Sequence, residues 1–573
     1  MFKFGQRIAG FANRNDFDRT FAPRVGSRHR IVGVFCYNDP MDTATRRRGV
    51  FLTPLPFAEK AFEYLEKTLG KNWMQSGKYR FWDMAAGTGH LELFLPKDVL
   101  QYCYLSTLEQ KDVQHVKQQF PSATVFQYDY LEDDGDKMPD TLRKDLAAPK
   151  IKWVVLVNPP YATAQEAGLR GTSKEGVSDT KIRKRMHADG LGEVSRELYV
   201  QFLYRIMNEF KHRETFLGLF SPLKYLISTN YQKFRDNVFH AAFQSGFIFS
   251  SENFGGTSKT SHFPVSFILW DIHRKDHVTA QEFQLDVLDH TARKIGTKTL
   301  KPAHRNDFLS RWIKRPRGTS IFPPFGSALT IKSGNVDTRN RISEGFLASL
   351  MCPGNELQNQ QQTAFLSGPQ VSAGALSVTP DNFEQAVAVF AARRVPKDSW
   401  VTHVDQLLRP NRELSPQFIA DCAVWSLFDG KNQTVALRNV KYQDRVYQID
   451  NHFFPFPVAE MRSWIINDEQ IEASLCKAKN SFVADWLAQQ KLSAEAQAVL
   501  ASAKAIYRFY FAHLNLLSKA DFKIETYDAG WYQIQKTLLD AKLGFDLLDD
   551  IKRRHKLLKV KMLPQLYDYG ILG

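Results

Sequence analysis

The run Ile151-Lys152-Trp153-Val154-Val155-Leu156-Val157, followed at once by Asn158-Pro159-Pro160-Tyr161, decides the fold of this chain. Lys152 is the sole charge in an otherwise apolar stretch of strand length, which reads as a strand buried on both faces. A stiff, polar-tipped turn at the exit of such a strand is where an open α/β sheet places its ligands, beyond the carboxyl ends of its strands. Upstream, Phe81-Trp82-Asp83-Met84-Ala85-Ala86-Gly87-Thr88-Gly89-His90-Leu91 repeats the plan with a short apolar entry, an acid and a Gly-x-Gly turn. Enough chain separates the two motifs for further strands of the same sheet.

Those strands are legible. Residues 78–84, 102–108, 123–128, 151–157, 215–220 and 265–272 are apolar runs set between helical stretches, which predicts a mostly parallel sheet with helices on both faces. Before the first of them, residues 56–69 place Phe57, Ala58, Ala61, Phe62 and Leu65 on one face of an amphipathic helix that opens on proline.

With these motifs in this order the chain resembles the S-adenosylmethionine-dependent DNA adenine N6-methyltransferases, in the subgroup whose cofactor motif precedes the catalytic one. The resemblance covers residues 46–275. It is carried by Gly49 to Pro54, Asp83 to Leu91, Glu109, Asp129, Asn158 to Tyr161, Glu197-Leu198-Tyr199-Val200-Gln201-Phe202, and Leu217 to Pro222. It implies an α/β, Rossmann-like class I methyltransferase core.

For the cofactor, Gly87 and Gly89 let backbone approach a ligand closely, with Ala85 in the same turn. Glu92 stands where a dinucleotide fingerprint would have its third glycine, so no pyrophosphate site is indicated. S-adenosylmethionine carries a sulfonium and an ammonium, which makes an acid at Asp83 electrostatically sensible. Glu109, ending the second strand, can accept both ribose hydroxyls. The resemblance further implies that Asp129 accepts from the adenine amine of the cofactor, and that Phe51, Thr53 and Pro54 close over its methionine end.

An adenine amine is a poor nucleophile, because its lone pair is delocalised into the ring. The Asn158 side-chain oxygen and the Pro159 carbonyl can each accept an N6 hydrogen and turn the lone pair toward the methyl group. Pro159 and Pro160 stiffen this pair of acceptors, and Tyr161 can stack on a base. The target adenine has to leave the duplex stack to reach them. A cytosine C5 enzyme would need a proline-preceded cysteine nucleophile, and none of the five cysteines follows a proline.

A formal charge of +15 and a pI near 9.3 favour a polyanionic partner, here double-stranded DNA. The cysteines lie far apart, which indicates neither a metal site nor a disulfide framework. No apolar run approaches membrane-span length and no secretory signal is present, so the cytoplasm is the expected compartment.

At 573 residues two or three domains are expected. Residues 1–48 hold ten Lys or Arg against four Asp and form a basic arm. Residues 49–290 form the methyltransferase domain, and 291–573 a target-recognition region that is mixed to about 455 and largely helical from about 460. Within the core, residues 162–195 are polar and glycine-dotted (Gly168, Gly171, Gly176, Gly190, Gly192). Their basic knot of Lys181, Arg183, Lys184 and Arg185 reads as a mobile flap that meets DNA. Arg315 and Arg317 close a second basic segment.

Asn-Pro-Pro-Tyr positions any planar nitrogen, so RNA and a protein glutamine amide remain open as acceptors. A recognition or modification subunit of a larger restriction complex remains open too, with a separate restriction endonuclease or defence-system subunit as a further partner. No Pro-Asp…Glu-x-Lys nuclease set is present: Pro380-Asp381 is followed by Glu384-Gln385-Ala386, without the lysine.

Overall fold

In the computed structural model Lys152–Val157 is a strand whose side chains divide between two apolar clusters. Trp153, Val155 and Val157 enter one, Val154 and Leu156 the other, on opposite faces of the sheet. Two-sided burial is why Trp153 to Val157 are all apolar instead of alternating. The structure describes residues 52–161, 180–254, 262–318, 320–331, 342–369, 374–517 and 526–572, all within the unit Met41–Gly573. The basic arm 1–48, Phe51, Gly168, Gly171 and Gly176 lie outside the described residues.

Nine strands make one sheet: β1 (Tyr79–Asp83), β2 (Cys103–Thr107), β3 (Thr124–Gln127), β4 (Lys152–Val157), β5 (Thr215–Pro222), β6 (Ala242–Ser250), β7 (Pro264–Asp271), β8 (Phe283–Leu288) and β9 (Lys294–Leu300). Their order is β3-β2-β1-β4-β5-β7-β6-β8-β9. Strands β1 to β5 pair in parallel, and β7 runs antiparallel to both β5 and β6. This is the expected α/β, Rossmann-like core, and all six expected strands are present within one or two residues of their limits. Strands β6, β8 and β9 have no clear signal in the sequence. Gln244, Ser245 and Gly246 interrupt the apolar run of β6, and β9 is a largely exposed edge.

The order reverses between β1 and β4, which lie side by side with Trp82 opposite Val155. The chain leaves β1 toward β2 and β3 on one side, and β4 toward β5 on the other. A crevice opens outside the carboxyl ends of strands at such a switch point, and the Asp83 turn and the Asn158 turn both begin there.

Helix α1 (Leu55–Leu69) buries Phe57, Ala58, Ala61, Phe62 and Leu65 as the pattern predicts. It docks on strands that come late in the chain. Phe57 stacks on Phe249 of β6 with centroids 3.9 Å apart, Tyr64 meets Phe247 edge-on at 5.3 Å, and Tyr64 Oη donates to Asp286 Oδ2 of β8 at 2.5 Å. Helix α2 (Gln110–Gln119) packs on the same face through Val113 and Val116, and helix α3 (Asp140–Ala147) covers the other through Leu142.

The expected flap is corrected over its described part. Lys181–Ala188 is helix α4, and Gly192–Arg196 is a short 3-10 turn before helix α5 (Leu198–Glu209). Thr180 caps α4 by accepting from the Arg183 N–H at 3.0 Å. Only Ile182 and Met186, one turn apart, are buried, so the apolar stripe is narrow and the basic residues around it mask the helix in the sequence.

Beyond β9, helices α6 (Phe383–Arg394), α7 (Pro416–Leu427), α8 (Ala494–Ala512) and α9 (Phe545–Asp568) share one large apolar cluster with a four-stranded sheet of short strands. The region from 460 onward is largely helical among its described residues, as expected. Helices α6 and α7 escape a sequence reading of the mixed region because they are buried nearly all round and so lack an amphipathic period. This layer meets the large sheet where Lys298 Nζ of β9 lies 2.5 Å from Asp405 Oδ1, an ion pair with both side chains close to 10 % exposed.

Candidate active site

After β1 the backbone turns sharply. The Ala86 N–H donates to the Ser106 carbonyl of β2 at 3.0 Å, the Gly89 N–H to the Ala86 carbonyl at 2.9 Å, and both Gly87 (φ +54°) and Gly89 (φ +83°) are left-handed. A Cβ on Gly89 would stand 2.7 Å from Cε2 of Phe120, so this glycine is required by space as well as by φ. The turn thereby presents main chain, not side chains, to whatever sits in the crevice.

Asp83 anchors the turn by accepting from the Ala85 N–H at 2.7 Å through Oδ1. Its other oxygen, Oδ2, is buried without a well-formed hydrogen bond, and so are both oxygens of Glu92. Asp83 is 1 % exposed and Glu92 is fully buried. Burial pushes Asp83 up to about 7, partly offset by Glu92 and by the Ala85 N–H. Burial and the neighbouring Asp83 push Glu92 well above the ordinary carboxyl range. At neutral pH Glu92 is therefore the protonated member of the pair, beside Asp83. A buried carboxylate beside a main-chain turn fits a cationic ligand group such as an ammonium. In the sequence Glu92 stands out only as a missing glycine.

The catalytic candidate is gripped at both ends of its amide. Asn158 Nδ2 donates to Thr53 Oγ1 at 2.9 Å, and Oδ1 accepts from Tyr161 Oη at 2.7 Å. Thr53 is buried, and Pro54 beside it caps α1, accepting from the Phe57 and Ala58 N–H groups. The Thr53 carbonyl also meets the ring of His90, whose imidazole is lowered by burial more than that hydrogen bond raises it. Thr53 thus stands between the glycine turn and the Asn158 turn. Tyr161 lies edge-on to Tyr199 of α5 at 6.4 Å and to Phe254 at 6.3 Å. Burial pushes its phenol well above the ordinary value. Pro159 is buried and Pro160 half-buried. Tyr199 belongs to a motif quoted from the sequence, whereas Phe254 carries no sequence signal beyond being aromatic.

The remaining acids stand at successive strand ends. Glu109, half-buried, follows β2 and starts α2. Asp129 follows β3 and accepts from the Leu131 and Glu132 N–H groups at 2.9 and 3.2 Å through Oδ1, so one of its oxygens shapes its own turn. On α4, Lys181 and Arg185 both reach Asp134, at 2.9 and 3.6 Å, and Lys184 is exposed. Arg315 and Arg317 are exposed on the C-terminal layer, with Arg315 Nη1 3.5 Å from the Gly374 carbonyl. Among the described residues no cluster of His, Cys, Asp and Glu could hold a metal ion, and no helix is long and apolar enough to cross a membrane.

No protein-family model matches this chain, and no curated protein does. Solved structures with partial likeness include a protein described as a modification subunit of a type I restriction enzyme from Vibrio vulnificus. It is 14 % identical, with 47 % of this chain and 57 % of that one covered and a TM-score of 0.29. Another is the M protein of the type I restriction enzyme EcoKI, 13 % identical over 42 % of this chain and 48 % of that one, TM-score 0.26. The type IIL restriction-modification enzyme MmeI, solved with DNA, is 11 % identical over 92 % of this chain and 80 % of that one, TM-score 0.32. The chain spans about half the length of the first two. With likeness this low, the chemistry has to be carried by this chain's own residues.

Proposed function

We propose that this chain is an S-adenosylmethionine-dependent DNA methyltransferase that modifies N6 of a flipped-out adenine, within a restriction-modification or defence system or as a solitary enzyme. The observation that carries the proposal is the Asn158 amide at the carboxyl end of β4, beside the glycine turn at the carboxyl end of β1, at the switch point of the sheet. The residues fit the cofactor. The left-handed Gly87–Gly89 turn gives it main chain, Asp83 Oδ2 an anionic partner for its ammonium, and Glu109 and Asp129 acceptors for its ribose and adenine. When bound, it supplies an electrophilic methyl group on sulfonium sulfur.

Everything else falls to the chain. Asn158 Oδ1 and the Pro159 carbonyl accept the two N6 hydrogens, orient the nitrogen lone pair and stabilise its growing positive charge. No covalent enzyme intermediate is needed, so catalysis is positioning and electrostatics. The proton that the nitrogen loses on methylation passes to solvent. Tyr161 offers a ring to the extrahelical base, worth about 1–3 kcal/mol by analogy with other base–aromatic stacks. The formal charge of +15 favours the duplex.

The test is long-read sequencing of DNA from a methylation-free host expressing the chain, scored for N6-methyladenine against an Asn158→Ala control. A short motif modified throughout and absent from the control is expected. Unmodified DNA from cells holding folded, cofactor-binding protein would overturn the proposal and redirect it to RNA, a protein amide or a missing partner.

A further inference from the structure

We propose that Thr53 is a positioning residue for Asn158, and that the Tyr161 hydroxyl is a displaceable place-holder for the base amine. This rests on the functional reading above. An asparagine amide has a donor end and an acceptor end, and only the acceptor end serves an incoming N6–H. Turned the wrong way, the amide would set its own NH2 against the amine, donor against donor. In the structure the NH2 lies on Thr53 Oγ1 and the oxygen is met by the Tyr161 hydroxyl.

Hydroxyls accept or donate, so either orientation is satisfied while both are present. Once a base amine replaces the Tyr161 hydroxyl, the choice ends. The amide oxygen has to face the base, and the NH2 then needs an acceptor on its far side. Thr53 supplies that acceptor from a buried position, on a segment fixed by the docking of α1 against β6 and β8. Without it, the productive orientation loses the acceptor that Thr53 gives its NH2.

The Tyr161 hydroxyl does the reverse. Its ring lies edge-on to Tyr199 and to Phe254, and its oxygen covers the acceptor that the base requires. It satisfies the amide oxygen while no base is present and gives way on base entry.

The test uses full-length protein and the DNA motif found by sequencing, with Thr53→Val, Thr53→Ser and Tyr161→Phe. Thr53→Val keeps shape and removes the acceptor. Its kcat should fall about tenfold or more, with S-adenosylhomocysteine affinity by calorimetry within about threefold of wild type. Thr53→Ser should restore kcat. With 2-aminopurine at the target position, Tyr161→Phe should hold the extrahelical base at least as tightly as wild type.

Wild-type turnover in Thr53→Val, or a fall in cofactor affinity that accounts for the whole defect, would overturn the positioning role. So would Thr53→Ser failing to rescue. Weaker base capture by Tyr161→Phe would make that hydroxyl a base contact and overturn the place-holder. A separate readout distinguishes failure of the anchor from failure of the functional reading. In ligand-free protein labelled on asparagine, the Asn158 side-chain NH2 protons should exchange slowly in wild type and Thr53→Ser and faster in Thr53→Val. Equal exchange in all three sinks the anchor whatever the substrate proves to be.

Discussion

Asp83 and Glu92 put two carboxyls where a negative charge is poorly solvated, and this has a measurable sign. Asp83 moves from an ordinary 3.8 to about 7 in the folded chain. Between those values the native state holds a proton that the unfolded state has lost, so ligand-free stability falls as pH rises from about 4 to about 7. Asp83→Asn removes the charge and should raise the melting temperature of ligand-free protein at pH 8 by about 1 °C or more, with a smaller gain at pH 5. The same variant should bind S-adenosylhomocysteine about tenfold or more weakly, since its ammonium then has no anionic partner. Scanning calorimetry at both pH values checks the first expectation and titration calorimetry the second. Asp83 is legible because an acid before Gly-x-Gly has a local pattern. Glu92 is not, since its meaning lies in a contact nine residues back. Thr53 is legible only as a cofactor residue, and its bond to Asn158, 105 residues away, has no trace in spacing.

At the scale of elements, α4 shows why a helix can hide in a basic stretch. Thr180 is a ready cap, but two buried side chains among five exposed or half-exposed basic and polar neighbours leave no visible stripe. Its exposed ion pairs to Asp134 are weakly held and open to competition. If α4 meets phosphates, Asp134 competes with them for Lys181 and Arg185. Asp134→Asn should then tighten DNA binding about two- to fivefold at low salt. Replacing Lys181, Lys184 and Arg185 by alanine should reduce the slope of log affinity against log salt by about 0.9 for each phosphate no longer neutralised. Fluorescence anisotropy over a salt series measures both, and an unchanged slope removes α4 from the interface. The strands tell the converse story: β1 to β5 and β7 announce themselves as apolar runs, while polar β9 is a strand only because β8 lies beside it.

For the whole molecule, Lys298 and Asp405 join the large sheet to the C-terminal layer by a nearly enclosed ion pair. Removing one partner of such a pair strands the other, at a cost of about 3 kcal/mol. Lys298→Met should destabilise the chain by about that amount in urea denaturation, and Lys298→Met with Asp405→Leu should recover much of the loss. A double variant no better than the single would mean that the pair carries no such burden. The join has no signature in the sequence, because neither residue stands in a pattern and their pairing depends on how two layers meet.

The docking of α1 also has a meaning in time. Thr53 and α1 are synthesised early, yet the surfaces that hold α1 are Phe247 and Phe249 of β6 and Asp286 of β8. On a ribosome these emerge well after both sequence motifs are complete. A nascent chain that already carries the glycine turn and Asn-Pro-Pro-Tyr therefore lacks its Thr53 contact, and the site stays unassembled until β8 has cleared the exit tunnel.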